Sequence, residues 1–320
     1  MVSSFLPDLP ETLLFSYVQN WVVALQWIDI YALIIGAGAV LLFFGILKIF
    51  PKVGAIAWVT FKEAVMQPLF SILIVVGLAA LFFFLYIPYH ALGEDIKLVI
   101  TQGLTLIKLI AVFLAIWTAS TSIADELEGK TALMILAKPV GRRKFLMGKY
   151  LGVMMAVMLI FFVLGLFFMN SISYKTFFDA REGTKELPTV AECFQQMVVT
   201  IPGLILSFFE TLILAAIAIA ISTRLSLLPN LSICLTILAV GYLAPMILET
   251  AIGQNPLVSF VAMLATTVFP VLSHFNMETA IATDQALPPY YLVWAAVYAL
   301  LYCLLATTVA LFLFEDRDLA

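Results

Sequence analysis

Charged residues are scarce in this sequence: Asp, Glu, Lys and Arg make up 11% of its 320 residues, against about 25% in an average soluble domain. Hydrophobic residues make up 64% of the chain, and the mean hydropathy is +1.12. The net charge of -4 at pH 7 provides no basic surface for a nucleic acid. These shortages exclude a soluble domain and a nucleic-acid-binding protein, and they predict an integral membrane protein.

Residues that bind metals or perform catalysis are also few. The three cysteines are Cys193, Cys234 and Cys303, and the last two fall inside apolar runs, so neither a disulfide framework nor a zinc cluster is expected. His90 and His274 have no acidic cluster at ligand spacing. HExxH, GxSxG and Ser/Lys constellations are absent from the sequence. We therefore expect no metal site, no cofactor and no catalytic residue in this chain.

Long apolar runs occupy most of the chain. A bilayer core requires about 20 apolar residues per helix, and runs of this kind lie near 30–47, 69–88, 99–120, 147–169, 198–221, 231–248 and 290–314. A further run, 257–272, is shorter and contains Pro270, so it predicts a re-entrant or interfacial hairpin rather than a crossing. The pattern predicts an all-α, polytopic membrane protein.

The basic residues predict the orientation of these spans. If the first span ends inside, most of the 16 Lys and Arg residues become cytosolic, as the positive-inside rule requires. The N-terminus is then outside and the C-terminus cytosolic. Residues 1–50 are expected to form an outer interfacial helix and an extra span, 53–67 an amphipathic helix at the inner surface, and 170–197 an outer loop.

One cytosolic stretch imitates a nucleotide-binding loop. The sequence ADELEGKT, from Ala124 to Thr131, ends in the Gly-Lys-Thr of a P-loop. A P-loop uses glycines so that backbone N–H groups can surround phosphate oxygens, but Ala124 replaces the first glycine. Asp125, Glu126 and Glu128 would also repel a polyanion. We therefore interpret the stretch as a segment that does not bind nucleotide.

The whole cytosolic segment, residues 122–149, reads SIADELEGKTALMILAKPVGRRKFLMGK. It resembles the coupling segment of ABC-2-type transporter permeases, particularly the NosY-like branch, in its paired acids, Gly/Thr pair, Lys-Pro dipeptide, arginine and final Gly-Lys. The matching residues are Glu126, Glu128, Thr131, Lys138, Pro139, Arg142, Arg143, Gly148 and Lys149. The resemblance extends over most of the chain after residue 50, where 53–67 looks like the family's elbow helix and FLFEDRDL like its C-terminal tail.

The resemblance implies a six-helix permease core within residues 51–320, preceded by one additional N-terminal transmembrane helix. It further implies a multi-pass protein of a cell membrane, with the bacterial inner membrane the expected location. Its partners would be the lipid bilayer, a cytosolic ABC ATPase that hydrolyses ATP in a separate chain, and a second permease chain as homodimer or heterodimer. The complex would export a substrate that the sequence does not identify.

The residues of the coupling segment suit that role physically. A short helix that docks on a partner needs a charged face and an apolar face. From Glu126 onwards the segment supplies both, because Leu127, Met134 and Ile135 recur at helical spacing while Glu126, Glu128 and Lys130 are polar. We expect Glu126 and Glu128 to contact the ATPase. The basic cluster beginning at Arg142 and Arg143 is more simply a topology signal at the lipid headgroups.

Two charged residues fall near the centres of predicted spans. Lys108 and Glu210 are expected at similar depth, where a charge costs about 2.5 to 3.5 kcal/mol on insertion scales, so they are expected to pair. The pair belongs either to a transport pathway or switch, or to a structural clamp between helices. If it forms an ion or proton path, the alternative function is a secondary transporter or channel. An ATP-independent membrane scaffold is the other alternative.

Overall fold

The protein was analysed as a computed structural model that describes residues 45, 50–87, 95–128, 141–182, 188–251, 260, 263, 269–283, 285 and 287–315. Apart from Gly45 and Phe50, the predicted N-terminal segment 1–50 lies outside the described residues. The same applies to residues 129–140 of the coupling segment and to most of the predicted hairpin 257–272. The predictions for these segments remain predictions.

Helices account for the described part of the chain, in which no strand occurs. In chain order they are α1 (Pro51–Met66), α2 (Pro68–Tyr86), α3 (Asp95–Glu128), α4 (Arg142–Glu182), α5 (Val190–Ser222), α6 (Leu227–Ala251), α7 (Glu278–Ala282) and α8 (Pro289–Glu315). A short 3-10 helix, Leu272–Phe275, precedes α7.

Within the described residues, the helices long and apolar enough to cross a membrane are α2, α3, α4, α5 and α8. They cover the predicted spans 69–88, 99–120, 147–169, 198–221 and 290–314. The sixth predicted span, 231–248, lies in α6, whose apolar part runs over Leu227–Leu243. The predicted all-α, polytopic class is therefore confirmed.

The helices differ in how much of their surface the protein covers. In the most apolar windows of α3, α4 and α5, 67%, 56% and 61% of the residues are buried, against 22% in α2 and 28% in α8. Helices α3, α4 and α5 therefore form the core of the bundle. Helices α2 and α8 lie at its periphery, with large apolar side chains such as Phe83 and Leu300 facing outwards.

Contacts near the helix termini define two ends of the bundle. At one end, here the lower end, the Gln67 side chain before α2 donates a hydrogen bond to Thr121 Oγ1 of α3 at 3.4 Å. At the other, the upper end, Lys97 near the start of α3 donates to the carbonyl oxygen of Ala282 at 3.4 Å. Helices α3, α5 and α8 thus run from the upper to the lower end, and α2, α4 and α6 return.

Helix α1 covers the predicted elbow helix 53–67 and packs along the first turns of α4. Its buried residues are Val53, Gly54, Ala57, Thr60 and Ala64, while Trp58 and Val59 are exposed. A Cβ atom added at Gly148 would lie 2.7 Å from Ile56 Cβ, and one at Gly152 would lie 2.7 Å from the Ala57 carbonyl oxygen. The GxxxG spacing of the two glycines lets the helices approach closely.

The predicted outer loop 170–197 is largely helical. Helix α4 continues to Glu182, and α5 begins at Val190 behind a capping box formed by Thr189 and Glu192. The apolar run that predicts the span ends at 169, but the helix continues, and Ser171 and Thr176 donate hydrogen bonds to carbonyl oxygens four residues earlier in it. Hydroxyls satisfied in this way are compatible with a buried helix.

We predict that Gly152→Ala destabilises the protein, whereas Gly165→Ala on the same helix does not. The new methyl group at position 152 would overlap Thr60 Cβ and the Ala57 carbonyl, an overpacking that typically costs about 1 to 3 kcal/mol. At position 165 the nearest atom is 3.5 Å away, an ordinary contact, so the better helix propensity of alanine is retained. Thermal unfolding in detergent compares the two, and equal melting temperatures would contradict the close packing of α1 on α4.

Candidate functional site

Three helices bring Lys108, Glu210 and Tyr242 together in the interior of the bundle. The Lys108 ammonium lies 3.3 Å from Glu210 Oε2. The Tyr242 hydroxyl donates a hydrogen bond to the same carboxylate oxygen at 2.8 Å and accepts one from Lys108. The ammonium also lies 4.5 Å from the centre of the Tyr242 ring. We call these residues the Lys–Glu–Tyr cluster.

The apolar faces of the helices bury the cluster inside the bundle. Lys108 of α3 lies beside the fully buried Ile107, and Glu210 of α5 is itself fully buried, between the turns that carry Leu206 and Leu214. An uncompensated charge at such a position is strongly unfavourable. The ion pair and the tyrosine therefore stabilise a particular arrangement of α3, α5 and α6.

The cluster leaves one strong acceptor unused within the described part of the chain. Glu210 Oε1 is buried and has no hydrogen-bond partner there. A carboxylate has about four lone-pair sites, and Lys108 and Tyr242 both contact Oε2 of Glu210. Buried polar atoms left without a partner are uncommon and frequently accompany function or bound water.

The sequence analysis missed Tyr242 and a second polar network lower in the bundle. The buried Asn230 side chain donates hydrogen bonds to Ser120 Oγ at 2.7 Å and to the Ala218 carbonyl at 2.9 Å, and Cys234 donates to Asn230 Oδ1 at 3.3 Å. The signal for this network was an asparagine inside an apolar run, because such an amide requires partners in other helices. The network connects α3, α5 and α6.

Two arginines bind the C-terminal end of α8 at the lower end. Arg142, the first residue of α4, donates to the carbonyl oxygens of Glu315 at 2.8 Å and Phe314 at 3.4 Å. Arg224, just after α5, donates to the Leu313 carbonyl at 2.9 Å. The last carbonyls of a helix lack intrahelical partners and carry partial negative charge, so two cations suit them. We call this arrangement the arginine clamp.

The predicted coupling residues are placed only in part. Glu126 and Glu128 belong to the last turn of α3, which continues past the predicted span end at 120. Arg143 is exposed at the start of α4, beside the clamp residue Arg142. Thr131, Lys138 and Pro139 lie outside the described residues. The Lys149 ammonium, matched to the end of the segment, is buried and lies 3.9 Å from Glu63 Oε2 of α1.

The described residues also show whether a metal site or a disulfide is present in this part of the chain. Among them, no group of three or more His, Cys, Asp or Glu side chains is arranged to hold a metal ion. Cys193, Cys234 and Cys303 are buried, and none forms a disulfide. Within this part of the chain, the Lys–Glu–Tyr cluster and the lower end are the candidates for function.

We predict strong energetic coupling between Lys108 and Glu210. Lys108→Met or Glu210→Gln alone leaves a buried charge without its partner and should lower the free energy of unfolding by on the order of 3 to 5 kcal/mol. The double variant should cost much less than the sum, because neither charge remains. Tyr242→Phe should cost about 1.5 to 3 kcal/mol, because it removes the hydroxyl that is hydrogen-bonded to both charged groups. Unfolding of all variants in one detergent measures these differences.

The exposed Lys62→Met serves as the control for loss of a lysine charge and should be close to neutral. Additive effects of Lys108→Met and Glu210→Gln would contradict a direct interaction. If the double variant is stable but inactive in transport, the charges belong to the mechanism. If it remains active, they act only as a clamp between helices.

We predict that Arg142→Met loosens the end of α8, whereas Arg143→Met at the adjacent position does not. Removing the Arg142 guanidinium leaves the Phe314 and Glu315 carbonyls without these donors, so the last turn should fray. Hydrogen–deuterium exchange of the peptide ending at Glu315 should accelerate in Arg142→Met relative to wild type. Unchanged exchange there, or equal acceleration in Arg143→Met, would show that the clamp does not hold the helix end.

Comparison with the curated proteins finds no match to the sequence. A family model described as ABC-2 family transporter protein matches residues 54–319. The match begins within α1 and extends beyond α8, so it includes both the Lys–Glu–Tyr cluster and the arginine clamp.

Proposed function

Because the chain belongs to the ABC-2 family of transporter proteins, we propose that it is the permease subunit of an ATP-driven exporter whose ATPase is a separate cytosolic chain. The observation that carries this proposal is the family match over 54–319, which includes every described helix of the bundle. Membership and the apolar helices make the chain a multi-pass membrane component of transport. The coupling to ATP hydrolysis is the proposed part.

The lower end is the proposed docking surface for the ATPase. The coupling segment, 122–149, includes the last residues of α3 and the first residues of α4, which both lie at the lower end. Since both helices pack in the centre of the bundle, force on the intervening segment would be transmitted directly to the core. In this proposal Glu126 and Glu128 contact the ATPase, with Thr131, Lys138 and Pro139 shaping the segment.

The arginine clamp extends the same proposal to α8. Arg142 lies within the coupling segment, where α4 begins, and its guanidinium donates hydrogen bonds to the last carbonyls of α8. A displacement of the segment would therefore reach the peripheral helix as well as the core. Arg143 is exposed beside it and is available to the ATPase or to lipid headgroups.

The proposed orientation rests on the charges of the lower end. Arg142, Arg143, Lys144 and Arg224 all lie there, which favours a cytosolic location under the positive-inside rule. The proposed topology then has the C-terminus in the cytosol and the N-terminus outside, in a bacterial inner membrane. A second permease chain and a place in the NosY-like branch belong to the same proposal, on the sequence resemblance alone.

The Lys–Glu–Tyr cluster supports a second candidate, a secondary transporter or channel that uses Lys108 and Glu210. Buried charges in membrane helices commonly mark ion or proton pathways. The discriminating result is substrate or ion flux in vesicles that contain this chain alone and no nucleotide. Such flux would favour the second candidate over the ATP-driven exporter.

The proposed function is tested by purifying the tagged chain from its native membranes under mild conditions. We expect an ABC ATPase and ATP hydrolysis to copurify with the wild-type chain. Glu126→Lys combined with Glu128→Lys should lower the recovered ATPase activity about tenfold or more, equivalent to about 1.4 kcal/mol of binding, because reversed charges oppose docking. The amount of chain in the membrane should not change.

The matched control reverses two acids away from the coupling segment, Glu182 and Glu186, in and after the last turn of α4. This variant should retain the ATPase, because the total charge change is the same but the docking segment is intact. If the wild-type chain recovers no ATPase, the exporter proposal fails. If the Glu126 and Glu128 reversal retains full activity, those residues are not the docking contacts.

A further inference from the structure

A small polar cavity lies next to the Lys–Glu–Tyr cluster on its upper side. Its volume is about 20 Å³. Three elements form its wall: α3, α5, and the segment from the 3-10 helix into α7. The lining residues used below are Thr101, Thr105, Lys108, Ser207, Asn276 and Glu278. Lys108 thus belongs to both the cluster and the cavity wall.

Helix α3 carries a polar stripe that leads to this cavity from the upper end. Lys97, Thr101, Thr105 and Lys108 follow one another at spacings that place them on one helix face. Lys97 contacts the Ala282 carbonyl at the upper end, and Lys108 reaches the cluster. In an otherwise apolar membrane helix, a polar face of this length normally faces a partner or water.

The hydrogen-bonding groups of the stripe leave acceptors for a ligand. Thr101 donates to the Lys97 carbonyl and Thr105 to the Thr101 carbonyl, so their hydroxyl hydrogens are used and their oxygens can still accept. The Lys108 ammonium has three N–H donors, of which contacts with Glu210 and Tyr242 account for two. A ligand in the cavity therefore meets a donor at its lower side and acceptor oxygens along α3.

The size and charge of the cavity indicate which kind of ligand it can hold. A site needs roughly 10 to 15 Å³ and two to four polar partners to hold one water molecule, and this cavity meets both conditions. Glu210 already balances the charge of Lys108, so the site does not favour a free anion or cation. Glu278 lines the same cavity and is exposed at the upper surface.

We propose that this cavity is a water-binding site, and that the Lys–Glu–Tyr cluster is hydrated through it from the upper end of the bundle. The bound water accepts a hydrogen bond from Lys108 and donates to the hydroxyl oxygens of the cavity wall. The buried ion pair is thus in contact with the aqueous phase on the upper side of the bundle. This inference goes beyond the coupling to an ATPase and does not depend on it.

Cysteine accessibility in sealed vesicles without nucleotide tests the proposal. Thr101→Cys and Thr105→Cys change little in volume, and the native cysteines are all buried, so the wild-type chain measures the background. Silver ion, which does not cross the membrane and is no larger than a water molecule, reacts with thiolates, which form where water reaches the sulfur. Both variants should react at least about tenfold faster than Ile107→Cys, which places the thiol at the fully buried position next to Lys108 on α3.

Further variants identify the side of the membrane from which the reagent reaches the cysteines and the route that it takes. The exposed Glu278→Cys marks the upper side and the exposed Arg143→Cys the lower side, and Leu109→Cys marks the outward face of α3. Thr101→Cys and Thr105→Cys should react from the side of Glu278→Cys and faster than Leu109→Cys. Ser207→Leu, or the smaller Ser207→Val, should fill the cavity and slow Thr105→Cys to the rate of Ile107→Cys, with Glu278→Cys unaffected.

Three results would overturn the proposal. Both threonine positions could react no faster than Ile107→Cys or Leu109→Cys, which would make the cavity dry. They could react only from the side of Arg143→Cys, which would place the water route at the lower end. Finally, filling at Ser207 could leave the reaction of Thr105→Cys unchanged, which would mean that water reaches the stripe without this cavity. Each result leaves the ATPase copurification test unaffected.

Discussion

Close approach of helices through small side chains is the constraint on which the bundle depends. Helices in hydrocarbon gain no hydrophobic burial by leaving lipid for one another, so their association relies on van der Waals contact and on interhelical hydrogen bonds. Helix α8 packs mainly on α5 and buries a stripe of small side chains, namely Ala295, Ala299, Cys303, Ala306 and Ala310. Gly148 and Gly152 serve the same purpose between α4 and α1. The positions of small residues thus decide which helix faces meet.

Polar contacts then fix these helices relative to one another at three depths. The Lys97 contact joins α3 to the segment before α8 at the upper end. The Lys–Glu–Tyr cluster joins α3, α5 and α6 in the interior. Asn230 and the arginine clamp act nearer the lower end. Because a polar group without a partner is costly in a membrane, each contact opposes sliding or rotation of its helices.

The distribution of these polar contacts indicates which helices move together. Helices α3, α5 and α6 share both the interior cluster and the Asn230 network, so they are expected to move as one unit. Helix α8 is held differently, by small-residue packing and by two arginines at one terminus. A signal arriving at Arg142 would reach α8 at the terminus that Arg224, just after α5, also holds. In the proposed exporter, this point adjoins the segment that contacts the ATPase.

The sequence by itself determined the membrane class, the positions of the main spans and the residues most expensive to bury. Apolar runs long enough for a bilayer predict helices without knowledge of their neighbours, because backbone hydrogen bonds must be satisfied within each span. The same argument singled out Lys108 and Glu210, since two midplane charges require a partner. The family resemblance was also readable from the spacing of residues in 122–149.

Only the tertiary structure decided which groups share a site. Tyr242 and Asn230 are distant in sequence from their partners, and no local pattern specifies which helix each will face. The same limitation made 170–197 read as a loop, because the sequence does not show that its hydroxyls bond to their own helix. The cavity beside Lys108 likewise exists only where three elements meet. Local hydropathy fixes what crosses a membrane, whereas helix rotation and depth, set by packing among neighbours, fix which polar groups meet there.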